Sequence, residues 1–332
     1  MISIVIPTYN VELLIKRTLL SIINQRNAPE FEIIIVDDCS TDATVKTVES
    51  FAQEYPNTNI ILLHQGKNMG PAAARNHGMY MAHGDYLAYL DGDDYWEPDF
   101  LYKTVSFLNE HSEAVAVFTG QRHMTIRNPN SIRPRCLLNS SHPFKKPIIL
   151  DDFFSFWSAE RYLVCTGSIV IRTQLLLELH GQRDDLRICE DLELWCLIGL
   201  YGKIGFIPEV LFTSDGMKSI GRKGLWLKLK QRFNSIPTME NWQKRHIELI
   251  GNNEMSNSYF LVCNEIAQNL ANAMIMAKQY DDARNTIIKY GSNFPDRRYH
   301  KLAFLCRNRG IWFVVATLIR FRGILHLMRQ TN

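Results

Sequence analysis

The stretch AYLDGDDYWEPDF, residues 88–100, sets three carboxylates, Asp91, Asp93 and Asp94, into four positions directly behind the apolar run YLAYL. Like charges at that spacing repel one another unless a cation or hydrogen-bond donors offset them. Residue type alone allows two readings. One is a solvated loop turning at Gly92; the other is a metal site at the carboxyl end of a buried strand. The decision rests on what stands at the equivalent place in the flanking segments.

Upstream and downstream, strand-like apolar runs alternate with helical periodicity. ISIVI at 2–6, FEIIIV at 31–36, NIILL at 59–63, DYLAYL at 85–90 and AVAVFTG at 114–120 read as strands. Helical spacing predicts helices over about 11–24, 41–55, 71–82 and 98–109, the last with Pro98 in its first turn. SIVI at 168–171 reads as a further strand and CEDLELWCLIGLYG at 189–202 as a helix starting near Glu190. Such alternation, with near-continuous apolar strands, predicts an α/β fold: a doubly wound, mostly parallel sheet with helices on both faces. Ligands of such sheets lie beyond the carboxyl ends of the strands. That edge gathers PTYN (7–10), DDCSTD (37–42), the segment after the third strand and DGDD (91–94). Four polar motifs at one edge make a site, where each alone would be a loop.

Composition sets the outer bounds. Of 332 residues, 46% are hydrophobic and 21% charged, which excludes a wholly disordered chain. The seven cysteines are scattered, odd in number and form no CxxC pair, a pattern of reduced cytosolic thiols rather than of a disulfide framework or structural zinc. No secretory leader precedes ISIVIP, and no run of about 18 apolar residues predicts a spanning helix. Net charge is +3 but unevenly placed: from Leu225 onward there are 16 Lys+Arg against 7 Asp+Glu, and before it 21 against 27. The basic end points to an anionic partner.

IVIPTYN, VDDCSTDAT, NMGPAAARNHG, YLDGDD and CEDLELW occur in the order and rough spacing of family 2 inverting glycosyltransferases, and the chain resembles that family over about 1–215. The resemblance implies the GT-A fold, a nucleotide-sugar donor and a divalent cation, Mn²⁺ or Mg²⁺. A departing diphosphate needs its charge stabilised, and a cation held by one or two carboxylates and phosphate oxygens supplies that. By the likeness of DGDD to the DxD motif, Asp93 leads as metal ligand, with Asp94 beside it. Asp91 or Asp94 would contact ribose or water, and the division among the three stays open. Gly92 would let backbone approach the ligand. Pro7, Thr8, Tyr9 and Asn10 would line the nucleoside pocket, Tyr9 offering a flat face to the base. Asp38 would accept a hydrogen bond from the base. Gly70 opens a small-residue helix start suited to anions, and Arg75 would reach base or diphosphate.

The same resemblance makes Asp191 the base that deprotonates the acceptor hydroxyl, with Glu190 orienting it or binding acceptor. Trp195, one turn on, would stack on a sugar ring or pack in the core. In TSDGMKSIGRKG, residues 213–224, Lys218 and Arg222 (or Lys223) would close over the diphosphate and Asp215 would complete the metal shell. Some relatives use a histidine in this region; here none lies between 181 and 245, which leaves the third protein ligand open. Processive synthases carry a QxxRW motif that is absent here, so one sugar per encounter is expected.

These readings predict a glycosyltransferase domain over 1–224, with the nucleotide half about 1–120 and the acceptor side about 121–224. A basic helical region would follow over 225–332. Within it, residues 310–330 combine aromatics and cations as membrane-interface helices do. The expected enzyme transfers a single sugar, from a UDP-sugar by default, to a saccharide or lipid-linked acceptor for surface polysaccharide. Its place would be the cytoplasmic face of a membrane. A rival is a non-catalytic partner that keeps the donor fold; intact Asp93, Glu190 and Asp191 count against it. A dehydrogenase lacks its GxGxxG after the first strand, and no nucleic-acid-binding module is visible.

Overall fold

In the computed structural model the elements begin with β1 (Ile2–Thr8), α1 (Ile15–Ile23), β2 (Phe31–Asp37), α2 (Thr44–Glu54), β3 (Ile60–His64) and α3 (Pro71–Tyr80). Next come β4 (Tyr86–Tyr89), β5 (Tyr95–Trp96), α4 (Phe100–Glu110), β6 (Ala114–Met124), β7 (Ser131–Arg133), β8 (Ile148–Ile149) and α5 (Phe153–Glu160). Then follow β9 (Ile169–Arg172), α6 (Thr173–Glu178), α7 (Glu190–Tyr201) and β10 (Lys203–Asp215). The last helices are α8 (Met239–Ile250), α9 (Asn257–Met276), α10 (Tyr280–Tyr290), α11 (Arg298–Leu305) and α12 (Arg309–Gln330). The structure describes all residues except 125–127, 140, 142, 161–162, 187, 216–235, 252–254 and 331–332, and omits the side chains of 325–330.

The chain divides into two compact units. The first comprises Met1–Phe153, Glu160–Asp184 and Leu194–Ser219, and the second Phe154–Ala159, Asp185–Glu193 and Ile220–Asn332. The division therefore does not fall at a single point near residue 224.

In the first unit the sheet runs β3-β2-β1-β4-β9-β6-β10-β5, with β7 on β6 and β8 on β10. The pairs β3–β2, β2–β1, β1–β4 and β6–β10 are parallel, while β9 is antiparallel to both β4 and β6. The sheet is thus mixed at its centre. Ile2, Ile4 and Ile6 join Ile33 and Ile35 in one core with Ile15, Leu19, Phe51, Phe100 and Leu101 from α1, α2 and α4. On the opposite face Gly78 of α3 lies so close that a Cβ there would stand 2.4 Å from Val5 and 3.2 Å from Val36. Helices on both faces are why these strands read as unbroken apolar runs.

Local differences from the sequence reading have local causes. Helix α1 begins at Ile15, not near Val11, because Val11 N–H donates to Thr44 Oγ1 and Glu12 N–H to Asp42. Helix α4 begins at Phe100, two residues beyond Pro98. Beyond the strand read at 114–120, β6 continues to Met124, and the chain returns as β7. The long strand β10 carries Gly205 and Pro208, both weak strand formers, and register shifts interrupt its pairing with β6 between Ile207 and Phe212.

In the second unit, Phe154 meets the Tyr259 ring edge-on at 5.3 Å, and Trp242 Nε1 donates to Cys189 O at 3.0 Å. These contacts explain why the pieces around 154–159 and 185–193 belong with the C-terminal helices. Thr238 caps α8 and Ser256 caps α9, each side-chain oxygen accepting from an amide three residues on. Residues 273–295 form a helical hairpin across the end of α9, α10 and the turn after it.

Candidate active site

The carboxyl ends of β1, β2 and β4 carry the polar motifs. Pro7 and Thr8 are the buried last residues of β1, and Thr8 Oγ1 donates to Val36 O at 3.4 Å. Their side chains are held inside, and they set the position of Tyr9 and Asn10. Tyr9 follows, 44% exposed, with an accessible ring. Asn10 takes a positive φ of 54°, which asparagine tolerates better than most residues, and its Oδ1 accepts from Thr41 N–H at 2.7 Å. That bond ties the end of β1 to the loop after β2.

Asp38 is buried and accepts from Met69 N–H at 2.7 Å, Gly70 N–H at 2.8 Å and Gln65 Nε2 at 3.0 Å. It therefore anchors the loop entering α3. Gly70 sits at φ 91°, a backbone conformation that favours glycine, and Pro71 opens α3. One turn into that helix, Arg75 is buried and its Nη2 donates to Asp91 Oδ1 at 2.6 Å, while Nη1 donates to Gln182 Oε1 at 3.1 Å. The structure brings Arg75 and the first carboxylate of the cluster together in a direct ion pair.

The DGDD turn is closed by Asp94 N–H donating to Asp91 O at 3.0 Å. Thr18 Oγ1 of α1 lies 3.0 Å from Gly92 O and 2.7 Å from Asp94 O, holding the turn from below. A Cβ on Gly92 would lie 3.1 Å from Val11 and 3.2 Å from Thr8, so the glycine makes room for the end of β1. Asp94 is buried and its Oδ1 accepts from Asp215 N–H at 2.9 Å. Burial, together with Asp91 and Asp93, pushes its carboxyl well above the ordinary value of 3.8. A bunched acid set of that kind fits a cation.

Asp215, at the end of β10, is buried and ion-paired to Arg17 of α1, whose guanidinium also donates to Asp93 O and lies 4.7 Å from the Tyr95 ring centre. Arg17 was not singled out from sequence. Its partner is 198 residues away, and a lone arginine on an amphipathic helix carries no local sign of it. Among the described residues, no group of three or more His, Cys, Asp or Glu side chains converges as a finished cage. The donor set of Asp93 and Asp94 fits a cation that takes its remaining ligands from phosphate and water.

In the second unit, Glu190 and Asp191 open α7 half-buried, and Asp191 Oδ1 accepts from Leu192 N–H at 2.9 Å. Behind them Glu193 is fully buried. Arg245 Nε donates to its Oε1 at 2.9 Å, a second guanidinium nitrogen reaches Oε2, and His246 Nε2 stands 2.9 Å from Glu193 O. His246 Nδ1 in turn meets Tyr259 Oη at 2.8 Å. Sequence reading missed this brace, whose only sign was the acid in CEDLELW. Trp195, proposed to stack on acceptor, is fully buried and has no open face, because it falls on the core side of α7. Lys218, Lys223 and Arg222 lie outside the described residues.

The model of the family described as "Glycosyl transferase family 2" matches residues 3–164. The protein EpsE of Bacillus subtilis (strain 168), named as a glycosyltransferase, is 32% identical over 65% of this chain and 75% of its own length. The chain belongs to glycosyl transferase family 2. Against four other curated bacterial relatives the match takes in 32–36% of this chain and 18–46% of theirs. Among solved structures, S. aureus TarS 1-349 in complex with UDP-GlcNAc superposes with a TM-score of 0.63 at 18% identity, covering 98% of this chain and 92% of that one. The mannosyltransferase PcManGT from Pyrobaculum calidifontis, in complex with GDP-Man and Mn²⁺, gives 0.53 at 17%, covering 96% and 86%. The fold is the GT-A arrangement that the motifs implied.

Proposed function

We propose that the protein is an inverting, metal-dependent glycosyltransferase of bacterial surface-polymer synthesis. It moves one sugar from a nucleoside-diphosphate sugar, UDP-linked by default, to a saccharide or lipid-linked saccharide. The observation that carries this is the carboxylate turn at the end of β4, with half-exposed Asp91 paired to Arg75 on one side and buried Asp94 tied to the end of β10 on the other. The nucleotide-sugar complexes of TarS and PcManGT support the donor class. Family relatives named for poly(ribitol-phosphate) glycosylation support the polymer class.

In this reading Tyr9 packs on the base and Asp38 keeps the loop before α3 in place, its carboxylate directed to the base. Asp91, poised by Arg75, contacts ribose or water. Asp93 and Asp94 hold Mn²⁺ or Mg²⁺, which when bound stabilises the charge of the departing diphosphate. Arg75 adds a fixed cation. Asp191 takes the proton of the acceptor hydroxyl as that oxygen attacks the anomeric carbon from the side opposite the leaving group, which inverts configuration. Glu190 orients it. The placement of Asp191 within reach of the acceptor hydroxyl supplies the effect. A lipid-linked acceptor would hold the enzyme at the cytoplasmic face of a membrane.

Calorimetric titration of UDP, GDP and dTDP, with Mn²⁺ or with a chelator, tests the donor site. One nucleotide is expected to bind only with metal, and Asp93→Ala to abolish that binding. Absence of binding for every nucleotide overturns the donor reading and favours a non-catalytic partner of the same fold.

A further inference from the structure

Helix α12 has two apolar faces, and only one of them is docked. Trp312 and Ala316 are buried, Trp312 Nε1 donates to Tyr280 O at 2.7 Å, and Arg320 Nε donates to Met276 O at 3.1 Å. A Cβ on Gly323 would lie 2.8 Å from Met276 Sδ. Positions 312, 316, 320 and 323 form one helical stripe, and it rests on the end of α9 and the start of α10.

The opposite stripe is Ile311, Val314, Leu318 and Phe321, spaced i, i+3, i+7 and i+10 and exposed by 46, 59, 58 and 59%. A surface helix already docked through one apolar face carries polar residues on the other. Here large aliphatic and aromatic side chains stand in solvent instead. Arg322 beside this stripe is exposed, as are Arg307 just before the helix and Arg309 at its start, which pairs with Asp281 at 3.9 Å; no acidic residue follows Asp296, while eight Lys or Arg do. A second copy of this face would set Arg322 and the net positive charge of this end of the chain against the same charges. No helix among the described residues is long and apolar enough to cross a membrane.

We propose that the outward face of α12 seats on an anionic phospholipid surface. Ile311, Val314, Leu318 and Phe321 enter the boundary between headgroups and acyl chains, and the flanking arginines meet lipid phosphates. The face lies along the membrane and does not span it. The inference draws its biological purpose, though not its evidence, from the lipid-linked acceptor reading.

Co-sedimentation of the full chain with vesicles tests it, using phosphatidylcholine alone and an equal mixture with phosphatidylglycerol. Binding to the anionic vesicles is expected, much weaker binding to the neutral ones, and loss of binding as salt rises. The double variant Leu318→Glu/Phe321→Glu should weaken anionic-vesicle binding by at least about tenfold. Both side chains point away from the unit's core, so far-ultraviolet circular dichroism should stay unchanged. No binding to anionic vesicles, or binding that the double variant leaves intact, overturns the proposal. So does a lipid-free dimer that the double variant dissociates, since a second copy then covers the face. Nucleotide titration of the same samples reports the donor reading separately.

Discussion

At the scale of single residues, the site is built of charges that hold one another in place. Arg75 is fixed by Asp91 and Gln182, and Arg17 joins Asp215 to the Asp93 carbonyl. The acids of DGDD were legible because their density is unusual anywhere but a site. Arg17 was not, since nothing near it in sequence differs from an ordinary helix surface. Asp191 is the residue on which the proposed chemistry depends most directly. Asp191→Asn should lower turnover by about 10²–10⁴-fold, the usual worth of a positioned general base. Nucleotide affinity by calorimetry should remain that of the wild type, because the variant leaves the β4 turn untouched.

At the scale of elements, the start of α7 is held by α8 through the buried pair Glu193–Arg245 and by His246. A buried acid that loses its guanidinium becomes an uncompensated charge. Arg245→Met should therefore cost about 3–5 kcal/mol in urea unfolding, and Glu193→Leu/Arg245→Met together should recover most of it. If the brace also sets Asp191, the single variant will lower kcat while KM for the sugar nucleotide stays near its original value. Strand β10 shows the converse limit of sequence reading. Gly205 is a poor strand former, yet a Cβ there would stand 2.1 Å from the Phe107 ring of α4. The residue is dictated by a helix about a hundred positions upstream, so local propensity pointed away from the strand it belongs to.

At the scale of the whole molecule, two carboxylate networks, buried at Glu32 and half-buried at Asp42, make stability depend on acid. Burial alone would raise Glu32, but hydrogen bonds from Ser3 Oγ and from the His83 amide and ring outweigh it and hold the carboxyl below its ordinary 4.5. Burial likewise tends to raise Asp42, but hydrogen bonds from Thr44 and neighbouring amides outweigh it and hold the carboxyl below its ordinary 3.8. A carboxyl depressed in the folded state contributes its full stability above the unfolded value and loses it as pH falls through the folded one. Unfolding free energy from urea titrations should thus decline as pH drops below about 4.5, the carboxylate range. Glu32→Gln should be less stable at neutral pH and lose less on acidification.

The sequence by itself determined the alternating α/β order, the strand edge that carries the polar motifs, and the family. Each of these rests on residues close together in the chain: an apolar run, a turn, a cluster of acids. Only the tertiary structure decided that β9 enters antiparallel between β4 and β6, that Trp195 is core, and that Arg17 and Asp215 share a site. It also decided that the start of α7 belongs with the C-terminal helices and that α12 leaves an apolar face outward. Those features depend on which side of an element meets a partner far along the chain, and periodicity shows that a face is apolar without showing what covers it.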